Sequence, residues 1–273
     1  MRSDVAFGQY YPARSFVHRM DPRAKIVLLI AYIVLIFIVR NFYGYAVVGG
    51  LLLLMVISSR VPVIKVLKSI RAIMFIIIIT VLINLFMHRE QNDVVYLSWW
   101  VFSVTDGSIK FAALMAIRLI TIIFGSTVLT LTTTPVALTD GIESLLSPLK
   151  VIKFPVHVLA LIMSIALRFI PTLMEETDRI ISAQKARGAD FDTGSIFARI
   201  KALIPILIPL IISAFRRADE LGDAMEARCY MGDKKRTKYK KLKMGVNDLI
   251  AALFVVAAYV GVILLNVYTV AIL

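Results

Sequence analysis

Apolar residues in this chain gather in long runs that carry no charge. The runs cover Ile26 to Val39, Asn41 to Ser59, Ala72 to His88, Phe111 to Thr139 with Arg118 as the one interruption, and Leu249 to Leu273. A helix needs roughly 17 to 25 residues to cross a bilayer, so the pattern predicts five membrane spans. The first is short, and snorkelling of Lys25 and Arg40 toward the interfaces is expected to complete it. Between the third and fourth runs, "VVYLSWWVFSVTDGS" carries alternating Val, Tyr, Trp and Phe. This predicts a small hairpin at headgroup level, with Trp99 and Trp100 as interface anchors.

Residues 140–246 follow another pattern. "FPVHVLALIMSIALRFIPTLMEETDRIISAQKARG" starts apolar and passes through Arg168 into a charged second half, and "SIFARIKALIPILIPLIISAFRRADELGDAMEARC" repeats that change. Each predicts one long helix whose first half is buried in lipid or protein and whose second half reaches the cytoplasm. At about 1.5 Å rise per residue, Pro155 to Arg187 is on the order of 50 Å long, more than the ~30 Å hydrocarbon core. The helices therefore outrun the membrane or lie obliquely. Pro171, Pro205 and Pro209 should bend them, because each removes an internal hydrogen bond and crowds the preceding turn. A rival topology makes both helices true spans, seven in all, and Arg168 and the paired prolines weigh against it. Just upstream, "TLTTTPVALTDGIE" reads as a helix end, a turn at Pro135 and a new helix capped by Thr139 or Asp140. The chain thus divides into an N-terminal membrane domain of four spans (1–139), a region of long helices (140–246) and a C-terminal span (247–273).

Composition agrees with a membrane setting. Of 273 residues, 59% are hydrophobic and 18% charged, against about 25% charged in a soluble domain, and mean hydropathy is +0.84. The fold class is an all-α integral membrane protein. Arg and Pro precede any long apolar run at the N-terminus, so no removable signal peptide is expected. Arg60, Lys65, Lys68 and Arg71 lie between spans two and three with no acid, whereas Arg89 and Lys110 are balanced by Glu90, Asp93 and Asp106 between spans three and four. By the positive-inside rule the N-terminus is cytoplasmic, the hairpin external and the C-terminus outside. Residues 140–246 hold 18 of the 31 basic residues. The basic run 234–243, "KKRTKYKKLK", would resemble a nucleic-acid patch in isolation, but it sits on the cytoplasmic side just before the last span. Topology accounts for it, and no nucleic-acid partner is expected.

Few residues invite chemistry. Cys229 is the single cysteine, and His18, His88 and His157 lie in unrelated segments, so neither a disulfide nor a metal centre is expected. None of the 13 glycines is followed by lysine, so the chain lacks the phosphate loop that would bind ATP. The five runs contain no Asp or Glu, groups that ion-driven carriers commonly keep at mid-membrane. Arg118 reads as a structural arginine bonded to helix ends or snorkelling, ahead of a substrate role. Glu175, Glu176 and Asp178 have Arg179 and Lys185 at helical spacing and read as a solvated charged face. No cofactor is expected in this chain, and no enzymatic site stands out.

The exception is a repeated motif. "AQKARGADF" (183–191) and "AMEARCYMG" (224–232) each carry Ala-x-x-Ala-Arg followed by a small residue, with Arg187 and Arg228 separated by 41 positions (228 minus 187). An arginine at a helix C-terminus is often only a cap for its carbonyls. Two equivalent ends, each with alanines clearing space around a planar cation, favour insertion into an acidic groove where the fork bonds carboxylates bidentately.

Together with "HRMDPRAKI", "AIRLITIIFGSTVLTLTTTPVALTDGIESLLSPLK", "LRFIPTLMEETDRIISAQKARGADF" and "RADELGDAMEARCY", the motifs make the chain resemble, over nearly its whole length, the transmembrane T component of energy-coupling factor ABC vitamin transporters. The resemblance implies a multi-pass cell-membrane scaffold with crossed coupling helices. It implies ends that dock on two cytoplasmic ABC-type ATPase subunits through Ala186, Arg187 and Gly188 and through Ala227, Arg228 and Cys229, the last departing from the family's glycine. ATP hydrolysis would belong to those subunits, and a vitamin to a membrane-embedded S component held on apolar helix faces. Ala160, Leu161, Ser164, Ile165, Leu207, Ile211 and Ala214 are expected on that S-component surface, where small residues permit close helix approach. The alternative is a stand-alone secondary transporter or channel, against which the missing intramembrane acids count.

Overall fold

A computed structural model describes residues 10–39, 41–87, 95–99, 102–152, 154–189, 191, 195–232 and 242–272. His88, the Trp100 anchor and all but the last two residues of the basic run 234–243 lie outside the described residues. The elements are a 3-10 turn (Val17–Arg19), α1 (Pro22–Ile38), α2 (Phe42–Ser59), α3 (Val63–Met87), β1 (Val95–Trp99), β2 (Phe102–Thr105), α4 (Asp106–Thr132), α5 (Pro135–Leu145), a second 3-10 turn (Ser147–Ile152), α6 (Val156–Ala186), α7 (Ile196–Ala227) and α8 (Val246–Ile272). They form two compact units. One comprises Met1–Gly141 with Lys241–Leu273, the other Ile142–Lys240.

The architecture is helical, with the expected hairpin as an antiparallel β1–β2 ribbon whose register shifts between Val95 and Leu97. By length and composition α2, α4, α6 and α8 are able to cross a membrane, and α3 makes five if its segments Val63–Arg71 and Ile73–Phe86 count as one broken span. The 17 residues of α1 reach only about 25 Å, short of the ~30 Å core. Length and composition thus admit α6, which is not among the five spans expected from the sequence, and leave out α1, expected as the short first one.

In the first unit, α1, α2, α4 and α8 pack around Tyr32, Leu35, Ile36, Val48 and Val262, all nearly inaccessible. Backbone groups facing lipid have no water to pair with, and the short α1 shows how that demand is met. Its start is capped by Asp21, whose carboxylate accepts the Arg23 N–H, with Pro22 in the first turn. Farther along, the Ala31 carbonyl accepts the Tyr259 hydroxyl at 2.6 Å, Ile38 O accepts Asn266 Nδ2 at 2.9 Å and Val39 O accepts Arg118 at 3.4 Å.

Two boundaries differ from expectation. The fourth helix starts at Asp106, ahead of Phe111, because Thr105 and Ser108 form a reciprocal capping box. The following helix is not capped by Thr139 or Asp140. It begins at Pro135, where a missing N–H costs nothing, and Thr134 Oγ1 accepts the Ala137 N–H at 3.3 Å. Thr139 lies inside that helix and donates to Pro135 O at 3.0 Å.

Candidate functional site: the ends and faces of the long helices

The second unit is built on α6 and α7, which run unbroken through Pro171 and through Pro205 and Pro209. Covered positions on α7 recur at Ala202, Ile206, Leu210, Ser213, Arg217, Leu221 and Met225, and the same spacing on α6 runs through Leu161, Ile165, Phe169, Leu173, Glu176, Ile180 and Gln184 within a wider partly covered band that includes Ser164, Ala166, Leu167 and Ile170. A spacing of three or four keeps each set on one side of its helix. Where the helices meet, Arg217 pairs with Glu176 at 3.5 Å. Glu176 therefore turns to the neighbouring helix, whereas Glu175, Asp178, Arg179 and Lys185 are exposed, as a solvated face requires.

The two helix ends have the same backbone. The Gly188 N–H donates to Lys185 O and the Ala189 N–H to Gln184 O, both at 3.0 Å; the Cys229 N–H donates to Glu226 O at 2.8 Å and the Tyr230 N–H to Met225 O at 3.0 Å. Each pair is a three-back and a five-back bond around a residue in the left-handed region, with φ +86° at Gly188 and +55° at Cys229. That is the Schellman terminator, which satisfies helix-end carbonyls with backbone donors. The arginine side chains are thus released from capping. Arg187 and Arg228 are exposed, as are Ala183, Ala186, Ala224 and Ala227, and among the described residues no ion pair engages either guanidinium. The result is two cations on low collars, each pre-positioned by a rigid helix end and fit to enter an acidic recess.

The apolar faces differ between the helices. Leu207 and Ile211 are 50% and 51% exposed and Ala214 is exposed, while Ala160, Leu161, Ser164 and Ile165 are only half open. The open side of α6 is instead Leu159, Ile162 and Met163, and on α7 Ile204, Ile208 and Phe215 extend the exposed surface. Sequence periodicity missed these because both sides of each helix are apolar there.

Other candidates have structural partners. Arg118 donates through Nε to Tyr45 Oη at 2.9 Å and through a terminal nitrogen to Val39 O at the end of α1, as expected of an arginine bonded to a helix end. His157 lies 3.2 Å from Glu143, and His18 bonds Ser15 and the Tyr11 carbonyl. Among the described residues no three His, Cys, Asp or Glu side chains gather as metal ligands.

Comparison with known proteins places this geometry in a family context. The family model described as cobalt transport protein, CbiQ, matches residues 13–239. The chain is 48% identical over 266 residues to the energy-coupling factor transporter transmembrane protein EcfT of Ruminiclostridium cellulolyticum, covering 97% of this chain and 98% of that one. It is 47% identical over 253 residues to the protein of the same name from Clostridium kluyveri, covering 93% of each. The Bacillus subtilis protein of that name is 44% identical over 260 residues, 94% of this chain and 97% of its own length.

Proposed function

We propose a function on the premise that identity and coverage establish: the chain belongs to the family of energy-coupling factor transporter transmembrane proteins. It is a multi-pass membrane component of a transporter. Within that role it acts as the energy-coupling scaffold. Two partner ATPases bind and hydrolyse ATP, this chain transmits their movement, and a membrane-embedded S component reorients to release a vitamin inward. Arg187 and Arg228 dock into acidic grooves of the two ATPases, flanked by Ala186 and Gly188 and by Ala227 and Cys229. The S component rests on the apolar halves of α6 and α7, on Leu207, Ile211 and Ala214 and on the open side of α6 at Leu159, Ile162 and Met163, with the half-open Ala160, Leu161, Ser164 and Ile165 at its border. The acid-free loop with Arg60, Lys65, Lys68 and Arg71 supports a cytoplasmic N-terminus.

The observation that carries this reading is the equivalence of the two helix ends, down to the same pair of backbone bonds and the same exposed cation. Two helices ended by one device, each beside an arginine that no ion pair engages among the described residues, support a matched pair of receptors. The test is co-purification from membranes of the Arg187→Ala, Arg228→Ala double variant. ATPase subunits should be lost while the S component stays bound, since truncating one partner of a buried charge pair costs about 2 to 5 kcal/mol. Undiminished recovery of the ATPases would reduce both arginines to solvated surface. Transport by the lone chain in vesicles would favour a self-contained carrier.

A further inference from the structure

Within the membrane unit α1, α2, α4 and α8 do not close completely on one another. Between them lies a cavity of about 250 Å³, walled by Leu29, Met55, Val128 and Ala251 and opening past Leu54 and Phe254, which are 52% and 49% exposed. Protein interiors are packed like organic crystals, with few voids larger than a water molecule, so a space of this size calls for an occupant. Water is a poor one, because an apolar cavity stays dry unless it offers a water two to four polar partners. Of the polar side chains that reach this lining, Ser58 lies at the exposed rim and the inner three are already engaged. Lys25 Nζ donates to Thr132 O at 2.9 Å and Thr133 Oγ1 at 3.2 Å, Tyr32 Oη donates to Thr121 O at 3.3 Å, and Thr132 Oγ1 donates to Val128 O at 2.7 Å.

The occupant is therefore apolar, and the mouth says where it comes from. It lies between α2 and α8, whose neighbouring outward residues Leu53, Ile57, Leu253 and Val256 are aliphatic and 60% to 70% exposed, the surface a membrane helix turns to lipid. We propose that the cavity seats one acyl chain of a phospholipid from the leaflet that meets the N-terminal ends of α1 and α8. Moving such a chain out of the bilayer yields no hydrophobic gain, because lipid tails are equally apolar. What holds it is the set of dispersion contacts that an empty cavity forfeits. The phosphate has partners of suitable charge nearby in the chain. Exposed Arg19 adjoins the lining residue Met20 and exposed Arg60 follows the lining residue Ser58 by two positions, and a guanidinium matches a phosphodiester in charge and hydrogen-bond geometry.

The experiment uses the full-length chain in phosphatidylglycerol vesicles doped with a phospholipid that carries a photoactivatable group in its acyl chain. After illumination, labelled peptides are mapped by mass spectrometry. A seated chain labels Val128, which is 5% exposed, and Leu29, in addition to outward residues such as Phe75 on α3. Labelling confined to outward residues overturns the proposal. In a second arm, Ala251→Phe fills the cavity. It should cut Val128 labelling about tenfold, the effect of a 1.4 kcal/mol loss, and leave Phe75 labelling unchanged. Undiminished Val128 labelling in that variant overturns it equally, and should the variant misfold, the map of the unmodified chain decides.

Discussion

Gly188 and Cys229 occupy the same place on successive long helices, 41 residues apart (229 minus 188), each left-handed and each directly after an exposed arginine. Only the first is the residue such a backbone favours. At +55° a side chain brings its Cβ toward the following carbonyl, a strain that glycine lacks, so Cys229→Gly should stabilise by up to ~1 kcal/mol. Gly188→Ala should destabilise by a similar ~1 kcal/mol, and purely through backbone strain, since nothing lies within 4 Å of a Cβ built there. Thermal unfolding in detergent measures both, and a lower Tm for Cys229→Gly would contradict the left-handed assignment.

Cys229 also reports on docking. It is a free, exposed thiol beside Arg228, so a water-soluble maleimide should modify it quickly in the isolated chain. Entry of Arg228 into an ATPase groove would cover it, and labelling of the assembled complex should slow at least several-fold. Equal, fast rates in both states would place this helix end away from the ATPases and remove the second socket.

Asp248 ties the last span to the first. Its carboxylate, 6% exposed, accepts the Asp21 N–H at 2.9 Å and the Gly245 N–H at 2.7 Å, bracing the starts of α1 and α8 together. Asp248→Ala strands the buried Asp21 N–H, while the Gly245 N–H is exposed, and should cost about 1 to 3 kcal/mol. Asp248→Asn keeps one acceptor oxygen and should fall between. An alanine variant as heat-stable as the parent would show that these donors find other partners.

Arg118 is a strut, and a double-mutant cycle with Tyr45 tests it. Arg118→Leu and Tyr45→Phe should each destabilise, with a coupling of ~0.6 kcal/mol and at most ~1.7, the range of interhelical hydrogen bonds in membranes. Partner binding should survive both changes. Purely additive effects would mean that the 2.9 Å contact contributes nothing.

His18, in the segment before α1, gives that segment a pH dependence. Burial pushes its pKa below 6.5; the hydrogen bond to Tyr11 O opposes the shift and the Lys25 charge adds to it. A depressed pKa means that the unfolded chain binds the proton first, so the stabilisation is complete above pH 6.5 and is lost as pH falls through the lower folded value. Protection of the Tyr11 amide, which donates to Leu131 O at 2.9 Å, should decline across that window in hydrogen exchange. His18→Gln should flatten the profile, and a profile that keeps its slope without the imidazole would assign the effect elsewhere.

How much of this was legible in the sequence depended on distance along the chain. The paired ends of α6 and α7 were visible because a terminator and its arginine are neighbours, and the hairpin because its strands are adjacent. The cap of α5 was misplaced by five or six positions. Thr134, Thr139 and Asp140 are all acceptable caps by type, and what decides among them is that Pro135 prefers the first helical position. Asp248 with Asp21, and Glu176 with Arg217, are bonds between residues 227 and 41 positions apart, which no local pattern announces. On α6 the choice between Leu161 and Ile162 as the open residue was hidden because both are apolar, so period alone could not say which side packs.

The bonds that α8 makes to α1 also impose an order of assembly. Tyr259, Asn266 and Asp248 complete the Ala31 and Ile38 carbonyls and the Asp21 amide, yet they are translated only after both long helices have been made. Until then the end groups of the first span, the Asp21 amide and the Ile38 carbonyl, lack these partners, while the Ala31 carbonyl keeps only its bond within the helix. The first and last spans of the chain therefore complete one another: α1 gains these partners only once α8 has packed against it.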